Sequence, residues 1–204
     1  MSQPAPIYLP LPSRKGSMPL EEAIACRESI RHFTSQSISQ SALSQLLWAA
    51  QGTSDASWRR TVPSAGATYP LEVFVVCGAG GVEDINEGVY HYHTDSHSLT
   101  LHLKGEVRYA LARAALSQEY IYEAPLDIVI CALYQRTTSY YGTRGERYVH
   151  MEIGHAGQNI YLQATALGLG TVAIGAFHDE AVREALQLDK EYRPLYIMPV
   201  GKPA

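Results

Sequence analysis

Residues 71–103 read LEVFVVCGAGGVEDINEGVYHYHTDSHSLTLHL, and this stretch decides the fold class. Leu71 to Cys77 is an apolar run of strand type. Gly88 to His93 and Leu99 to Leu103 follow, the last in strict apolar and polar alternation, so together they predict a β-hairpin. Between the first run and the hairpin lies Gly78-Ala79-Gly80-Gly81, whose composition suggests a dinucleotide loop. Such a loop needs a helix behind it to present its N-terminus to a pyrophosphate, and Val-Glu-Asp-Ile-Asn leading into a strand supplies none. The four residues are read as a turn.

Outward from the hairpin, helices and strands alternate. A helix from about Glu106 to Leu116 precedes a continuous apolar strand, Leu126 to Leu133, of the kind buried on both faces. Arg147 to Leu167 is the longest helix, with Val149, Ile153, Ala156, Ile160, Ala164 and Leu167 on one side, which places it centrally. A short strand at Thr171 to Ile174, an amphipathic helix at Asp179 to Leu188 and a last strand at Leu195 to Val200 complete that half. Upstream, Ser17 is read as the cap of a short helix ending near Ser29. Ser39 or Ser41 caps a second helix with Leu43, Leu46, Leu47 and Ala50 on its apolar face and Gly52 at a left-handed end. Residues 1–16, proline-rich and polar, are read as an arm lying on a surface or on a partner, ahead of a domain spanning 17–204. An antiparallel hairpin among helix and strand alternations predicts an α+β fold, not a doubly wound sheet.

The 204 residues fit one domain, and their 46% hydrophobic content provides a sizeable core. Sixteen Lys and Arg against 20 Asp and Glu leave a net charge of -4, so no basic field is available for nucleic-acid phosphates. The most apolar stretch, Tyr161 to Phe177, is broken by Gln163, Thr165 and three glycines and falls short of the roughly 20 apolar residues a membrane span needs. No signal-peptide pattern opens the chain, so a soluble, cytoplasmic protein is expected. Cys26, Cys77 and Cys131 are widely spaced and read as buried, reduced thiols. Fourteen tyrosines against three phenylalanines is the unusual entry, since a buried phenol needs a partner for its hydroxyl.

Three chemistries are excluded by spacing. His150 and His155 stand five apart, not the four that puts two ligands on one helical face, and Glu152 is at the wrong offset for a metalloprotease. His91, His93, His97 and His102 have no carboxylate or thiol spacing to complete a metal set and are read as exposed strand histidines. No metal is expected. Pro63-Ser64-Ala65-Gly66 lacks the glycine before serine that a nucleophile elbow requires, and it precedes its strand. It belongs instead to a long aperiodic loop, 53–70, of the sort that carries function.

One constellation remains. Arg27-Glu28-Ser29-Ile30-Arg31-His32-Phe33 places two guanidinium groups four residues apart around a serine where the first helix gives out. Arginine offers a bidentate fork and serine a hydroxyl, the donors a phosphate takes, although basic residues at a helix end also answer its dipole.

This motif is followed in order by Pro63-Ser64-Ala65-Gly66-Ala67-Thr68-Tyr69-Pro70-Leu71-Glu72, Gly88-Val89-Tyr90-His91-Tyr92, Arg147-Tyr148-Val149 with Gly154-His155-Ala156-Gly157-Gln158-Asn159, Ala166-Leu167-Gly168-Leu169-Gly170 and Pro194-Leu195-Tyr196-Ile197 with Pro199-Val200-Gly201. Together they resemble the nitroreductase-like flavoprotein superfamily, in its branch of azoline-oxidising dehydrogenases from streptolysin-type and cyanobactin-type peptide pathways. The resemblance implies a nitroreductase-like α+β fold with a central mixed or antiparallel sheet, a homodimer sharing its sites, and non-covalent FMN. Within the Arg27–Glu28–Ser29 segment it gives Arg27 and Ser29 to the FMN phosphate and ribityl chain, and it puts Arg31 beside flavin N1 and O2. It brings Pro63, Ser64 and Ala65 in from the other subunit, sets Ile174 and Gly175 in a turn against the ring with a backbone N–H near N5, and places Lys202 near the phosphate. Tyr69, Tyr134, Tyr140 and Tyr141 are candidates for lining a slot shared by a small-molecule substrate and NADH or NADPH, with Tyr140 and Tyr141 as catalytic candidates.

Peptide-modifying relatives carry a Lys-Tyr pair before a Gly-x-Arg-Gly turn; here Tyr140 stands in the lysine position before Tyr141-Gly142-Thr143-Arg144-Gly145. A neutral phenol does not replace an ammonium as acid or base at neutral pH. The chain is also read as lacking a leader-recognition domain. The resemblance therefore implies an FMN-dependent oxidoreductase moving hydride or electrons through flavin N5 to or from a small organic substrate. The alternatives are an azoline-to-azole dehydrogenase of peptide maturation and a flavin-binding protein without turnover.

Overall fold

The computed structural model describes residues 5–54 and 59–204, so residues 55–58 of the long loop and the first four of the arm lie outside the described residues. In chain order the elements are β1 (Ile7–Tyr8), α1 (Leu20–Cys26), α2 (Gln40–Gln51), β2 (Leu71–Cys77), β3 (Gly88–His93), β4 (Ser98–Lys104) and α3 (Arg108–Ala114). Then come α4 (Tyr120–Glu123), β5 (Leu126–Ala132), α5 (Tyr134–Tyr141), α6 (Arg144–Ala166), β6 (Gly170–Thr171), α7 (Asp179–Leu186) and β7 (Arg193–Gly201). The strands form one seven-stranded sheet in the order β1-β4-β3-β2-β5-β7-β6, and every neighbouring pair is antiparallel. The fold is α+β.

The sheet is covered on both faces. Leu43, Leu46 and Leu47 of α2 and Val149, Ile153, Ala156 and Ile160 of α6 pack with Val73, Val75, Ile128 and Ile130 on one side. Leu111 of α3, Ile121 of α4 and Val182 and Leu186 of α7 pack with Phe74, Val76, Val129 and Ile197 on the other. Alternate residues of β2 and β5 thus enter opposite cores, which is why all seven residues of β5 are buried. Each fully buried Leu or Ile contributes about 1.5–3 kcal/mol, so the central strands anchor everything placed at their ends.

Several elements differ from the sequence reading. The arm is built into the molecule: Ile7 and Tyr8 pair with Leu99 and Ser98, and Leu9 joins the core with its N–H donated to the His97 carbonyl at 3.1 Å. Ser17 does not cap α1, whose N-cap is Pro19, and the helix stops at Cys26 because Arg27 turns extended with ψ 122°. Ser39 does cap α2, accepting the Ala42 N–H at 3.2 Å. Gly52 has φ -68° and is not left-handed; its bare α-carbon is required because a Cβ would lie 2.4 Å from Trp48 Cδ1. Polar α5, YQRTTSYY, is helical as the antiparallel partner of α6, with Thr137 buried between them. The strand expected at 171–174 ends at Thr171, and Ile174 meets Ile197 through a single bridge. Cys77 and Cys131 are buried, whereas Cys26 is exposed. His91 and His93 are half-buried, not exposed: His91 stacks on Phe74 at 4.6 Å, and His93 bonds Thr100 at 2.7 Å.

Candidate functional site

Residues 27–34 run extended between β6 and the C-terminal residues. The Ile30 N–H reaches the Thr171 carbonyl at 2.9 Å, the Thr34 N–H reaches the Lys202 carbonyl at 2.9 Å, and Phe33 bridges Pro203. Gly170 makes this path possible, because a Cβ there would lie 2.7 Å from Ile30 Cβ. The segment is therefore held by backbone on both sides while its polar side chains stay available.

Tyr161 of α6 organises those side chains. Its hydroxyl accepts the Ala173 N–H at 2.8 Å and lies 2.9 Å from Ser29 Oγ, while the Arg27 guanidinium sits over its ring, 5.2 Å from the centroid. One phenol thus ties the Arg27–Ser29 segment to the chain leading into Ile174 and Gly175. Neither Arg27 nor Arg31 has a carboxylate partner among the described residues, and Arg31 is exposed. Arg27 and Ser29, a cation and a hydroxyl joined through Tyr161, are donors of the kind a phosphate monoester takes, and Arg31 is a second cation four residues further along the extended segment. Glu28 is exposed on the rim of a small cavity with Tyr161 and Thr165, facing away from an anion-binding role. The Lys202 side chain is exposed on a larger groove with Ser37, Ile38 and Gln163, a different cavity from the one Tyr161 lines.

Ile174 is buried and exchanges two backbone bonds with Ile197, at 2.9 and 3.0 Å, whereas the next residue, Gly175, is exposed. A Cβ on Gly175 would meet only Tyr196, at 3.8 Å, so its backbone is open to a ligand. Gly175 forms one wall of a cavity of about 530 Å³ whose others include Tyr134, Glu146, His150, Phe177, Asp179 and Arg193. Of the four tyrosines read as slot-lining, only Tyr134 is there. Tyr140 is 75% exposed, and Tyr69 and Tyr141 belong to another cluster.

That cluster surrounds the loop at Pro63. Pro63 is exposed, Ala65 opens a tight turn, and the Ser64 hydroxyl accepts the Tyr69 N–H at 2.9 Å. Gly66 has φ 58°, and a Cβ there would lie 2.7 Å from the Tyr141 hydroxyl, so both conformation and space call for glycine. Tyr69, itself at φ 44°, has Arg60 over its ring at 5.1 Å and its carbonyl bonded by Arg136 at 2.9 Å. Arg136 also pairs with Glu72 at 2.6 Å, and His91 bonds the other Glu72 oxygen at 2.6 Å. Burial alone would raise the Glu72 carboxyl, but these partners outweigh it and hold it below its ordinary value.

Beneath the loop lies Glu152, 3% exposed on α6, with Oε1 unpartnered. Burial pushes its carboxyl up to about 7 against the opposing pull of Ser64 and Arg60. Glu152 and Tyr161 are nine positions apart on one helix, which puts them about 14 Å apart along its axis and half a turn opposed. Within one chain the Pro63 loop and the Arg27 segment therefore occupy opposite sides of α6. Sequence reasoning missed Tyr161 and Arg136, and it considered His150 and Glu152 only as a metal motif, which their spacing ruled out; an unusual tyrosine count was the only trace of the first.

Comparison with known proteins bears on this arrangement. The model of the nitroreductase family matches residues 24–202. A Methanocaldococcus jannaschii protein provisionally named a nitroreductase is 50% identical over 183 residues, covering 90% of each chain. A Ralstonia eutropha protein of the same provisional name, solved by crystallography, superposes with a TM-score of 0.86 at 29% identity, covering 98% of this chain and 90% of that one. The microcin B17-processing protein McbC of Escherichia coli is 30% identical over 140 residues, 66% of this chain and half (50%) of that protein's length.

Proposed function

The chain belongs to the nitroreductase family, and from that premise we propose that it is an FMN-dependent oxidoreductase acting on a small organic substrate. The observation that carries this reading is that Arg27 and Ser29, with no carboxylate partner among the described residues, are tied through Tyr161 to the chain leading into the open backbone at Gly175, with Arg31 exposed on the same segment. Arg27 and Ser29 would hold the phosphate end of FMN, and Arg31 would face the ring edge that becomes negative on reduction, where a guanidinium raises the stability of the reduced form. Bound flavin supplies two-electron chemistry, with NADH or NADPH as the electron source. Gly175 lets a backbone amide approach the ring, and Ile174 fixes that amide through its pairing with Ile197. Lys202 would reach the phosphate only by leaving the groove that its side chain now lines.

A homodimer belongs to the same proposal. The Pro63–Ser64–Ala65 loop cannot complete the Arg27 site of its own chain across α6, but it can complete a partner's. Met151 and Gly154 on α6 and Leu20 and Ile24 on the helix packed beside it leave an exposed, largely apolar face suited to a self-complementary contact. Residues 17–204 would form the flavin-binding unit. The likeness to McbC favours azoline dehydrogenation as a second reading. Tyr140, 75% exposed, ranks it below the first. The two part on one assay. FMN-loaded protein reduced by NADH or NADPH and reoxidised by quinones or nitroaromatics supports the first, and oxidation of a thiazoline or oxazoline peptide without such turnover supports the second. Flavin that neither nicotinamide bleaches would indicate a binding protein without turnover.

A further inference from the structure

The cavity at Gly175 contains a hydrogen-bonded pair in which Tyr134, a candidate for lining the substrate slot, meets a histidine. Tyr134, the first residue of α5, and His150, one turn and a half into α6, meet with Tyr134 Oη 2.6 Å from His150 Nε2 and their rings edge to face at 5.8 Å. The short turn at 142–143 folds α5 back on α6 and fixes this contact. His150 is exposed at the cavity mouth, while Tyr134 is half-buried along its wall. We propose that Tyr134 is the proton donor to the substrate in this cavity and that His150 returns the proton to it from solvent. The assignment rests on the FMN reading, since Gly175 is the point at which the ring would meet the cavity.

The balance of a two-electron reduction shows why such a pair is needed. Bound reduced flavin would supply a quinone acceptor with a hydride, that is two electrons and one proton, so the acceptor needs one further proton to become the hydroquinone. The Tyr134 O–H bond breaks as that proton passes to the acceptor oxygen, the phenolate takes a proton from Nε2 of a protonated His150, which is left as neutral imidazole, and a hydronium ion of the solvent restores the proton to the exposed ring. Burial pushes the Tyr134 phenol up, with Arg193 opposing and Glu146 and Asp179 reinforcing, so at neutral pH it is a donor and not a phenolate. Those same three side chains, from α6, α7 and β7, are the charges facing His150 in the cavity.

The test compares an acceptor that needs a proton with one that does not. Anaerobically reduced, FMN-loaded protein is mixed with menadione or with ferricyanide, which takes electrons alone. Tyr134→Phe is expected to slow menadione reduction about 100-fold or more and to leave ferricyanide reduction within about twofold; His150→Gln should lower the menadione rate less and reduce its solvent isotope effect. In the flavin-free protein, the His150 Nε2 nitrogen resonance should move in Tyr134→Phe, which reports the hydrogen bond without turnover. Full menadione rates in FMN-loaded Tyr134→Phe, or equal slowing with both acceptors, overturn the assignment alone. Wild-type protein that takes up no FMN overturns the functional reading and this assignment with it.

Discussion

Tyr161 shows how one side chain can hold a ligand segment that its own sequence neighbours do not define. Its hydroxyl joins Ser29 to Ala173, and its ring supports Arg27, so the cationic segment and the open turn at Gly175 keep a common register. Arg27→Ala should weaken FMN binding by about 1.5–3 kcal/mol, the worth of a charge-assisted hydrogen bond, as read by flavin fluorescence titration. An unchanged affinity would remove Arg27 from the site. Tyr161→Phe keeps the ring under Arg27 and loses the two hydrogen bonds of the hydroxyl, so it should cost about 1–3 kcal/mol, comparable with Arg27→Ala. At this scale the candidate donors Arg27, Ser29 and Arg31 could be picked out from the sequence because they stand within one short motif. Tyr161 could not, because its partners lie 132 and 12 residues away and only the fold joins them.

At the scale of elements, α6 separates the two halves of the account. Its Tyr161 side faces the Arg27 segment, and its Glu152 side lies under the Pro63 loop. Glu152 has a folded-state value of about 7, raised above its ordinary one by burial. The unfolded chain therefore releases this proton first as pH rises, and the folded state loses stability between roughly pH 4.5 and 7 by about 3 kcal/mol, with no further loss above that range. Glu152→Gln should abolish that slope in urea unfolding measured at pH 5 and pH 8, and it should be the more stable protein at pH 8. A slope retained in the variant would clear Glu152 of the effect. On the other flank, Gly170→Val places carbon where Ile30 already lies, 2.7 Å away; the 27–34 segment must shift, and FMN affinity should fall more than thermal stability does. The apolar strands and α6 were legible because a period runs through them. Polar α5 has only eight residues, with tyrosines at its two ends as its apolar side chains, so no apolar face marked it as a helix and the Tyr134–His150 contact could not be read in advance.

For the whole molecule, the β3–β4 hairpin followed from the alternation in residues 99–103 and the burial of β5 on both faces from the apolar run at 126–133, whereas the antiparallel pairing of β5 with β2 and β7 had no local signal. The edge strand made by Ile7 and Tyr8 had none either, since two residues in a proline-rich stretch have no period and are recruited only by the open edge of β4. The proposed unit is a pair of chains, because the Pro63 loop and the Arg27 segment lie on opposite sides of one helix. Sedimentation should give a mass about twice 22.4 kDa, and Gly154→Glu on the exposed α6 face should yield monomers that no longer retain FMN. Monomers that bind flavin normally would contradict the shared site. The claim on which all of this depends is tested most directly by titrating FMN into flavin-free protein and following absorbance and fluorescence. The account predicts saturable binding, one flavin to each chain, lost or strongly weakened in Arg27→Ala; a flavin spectrum unchanged by the protein at any concentration would contradict it.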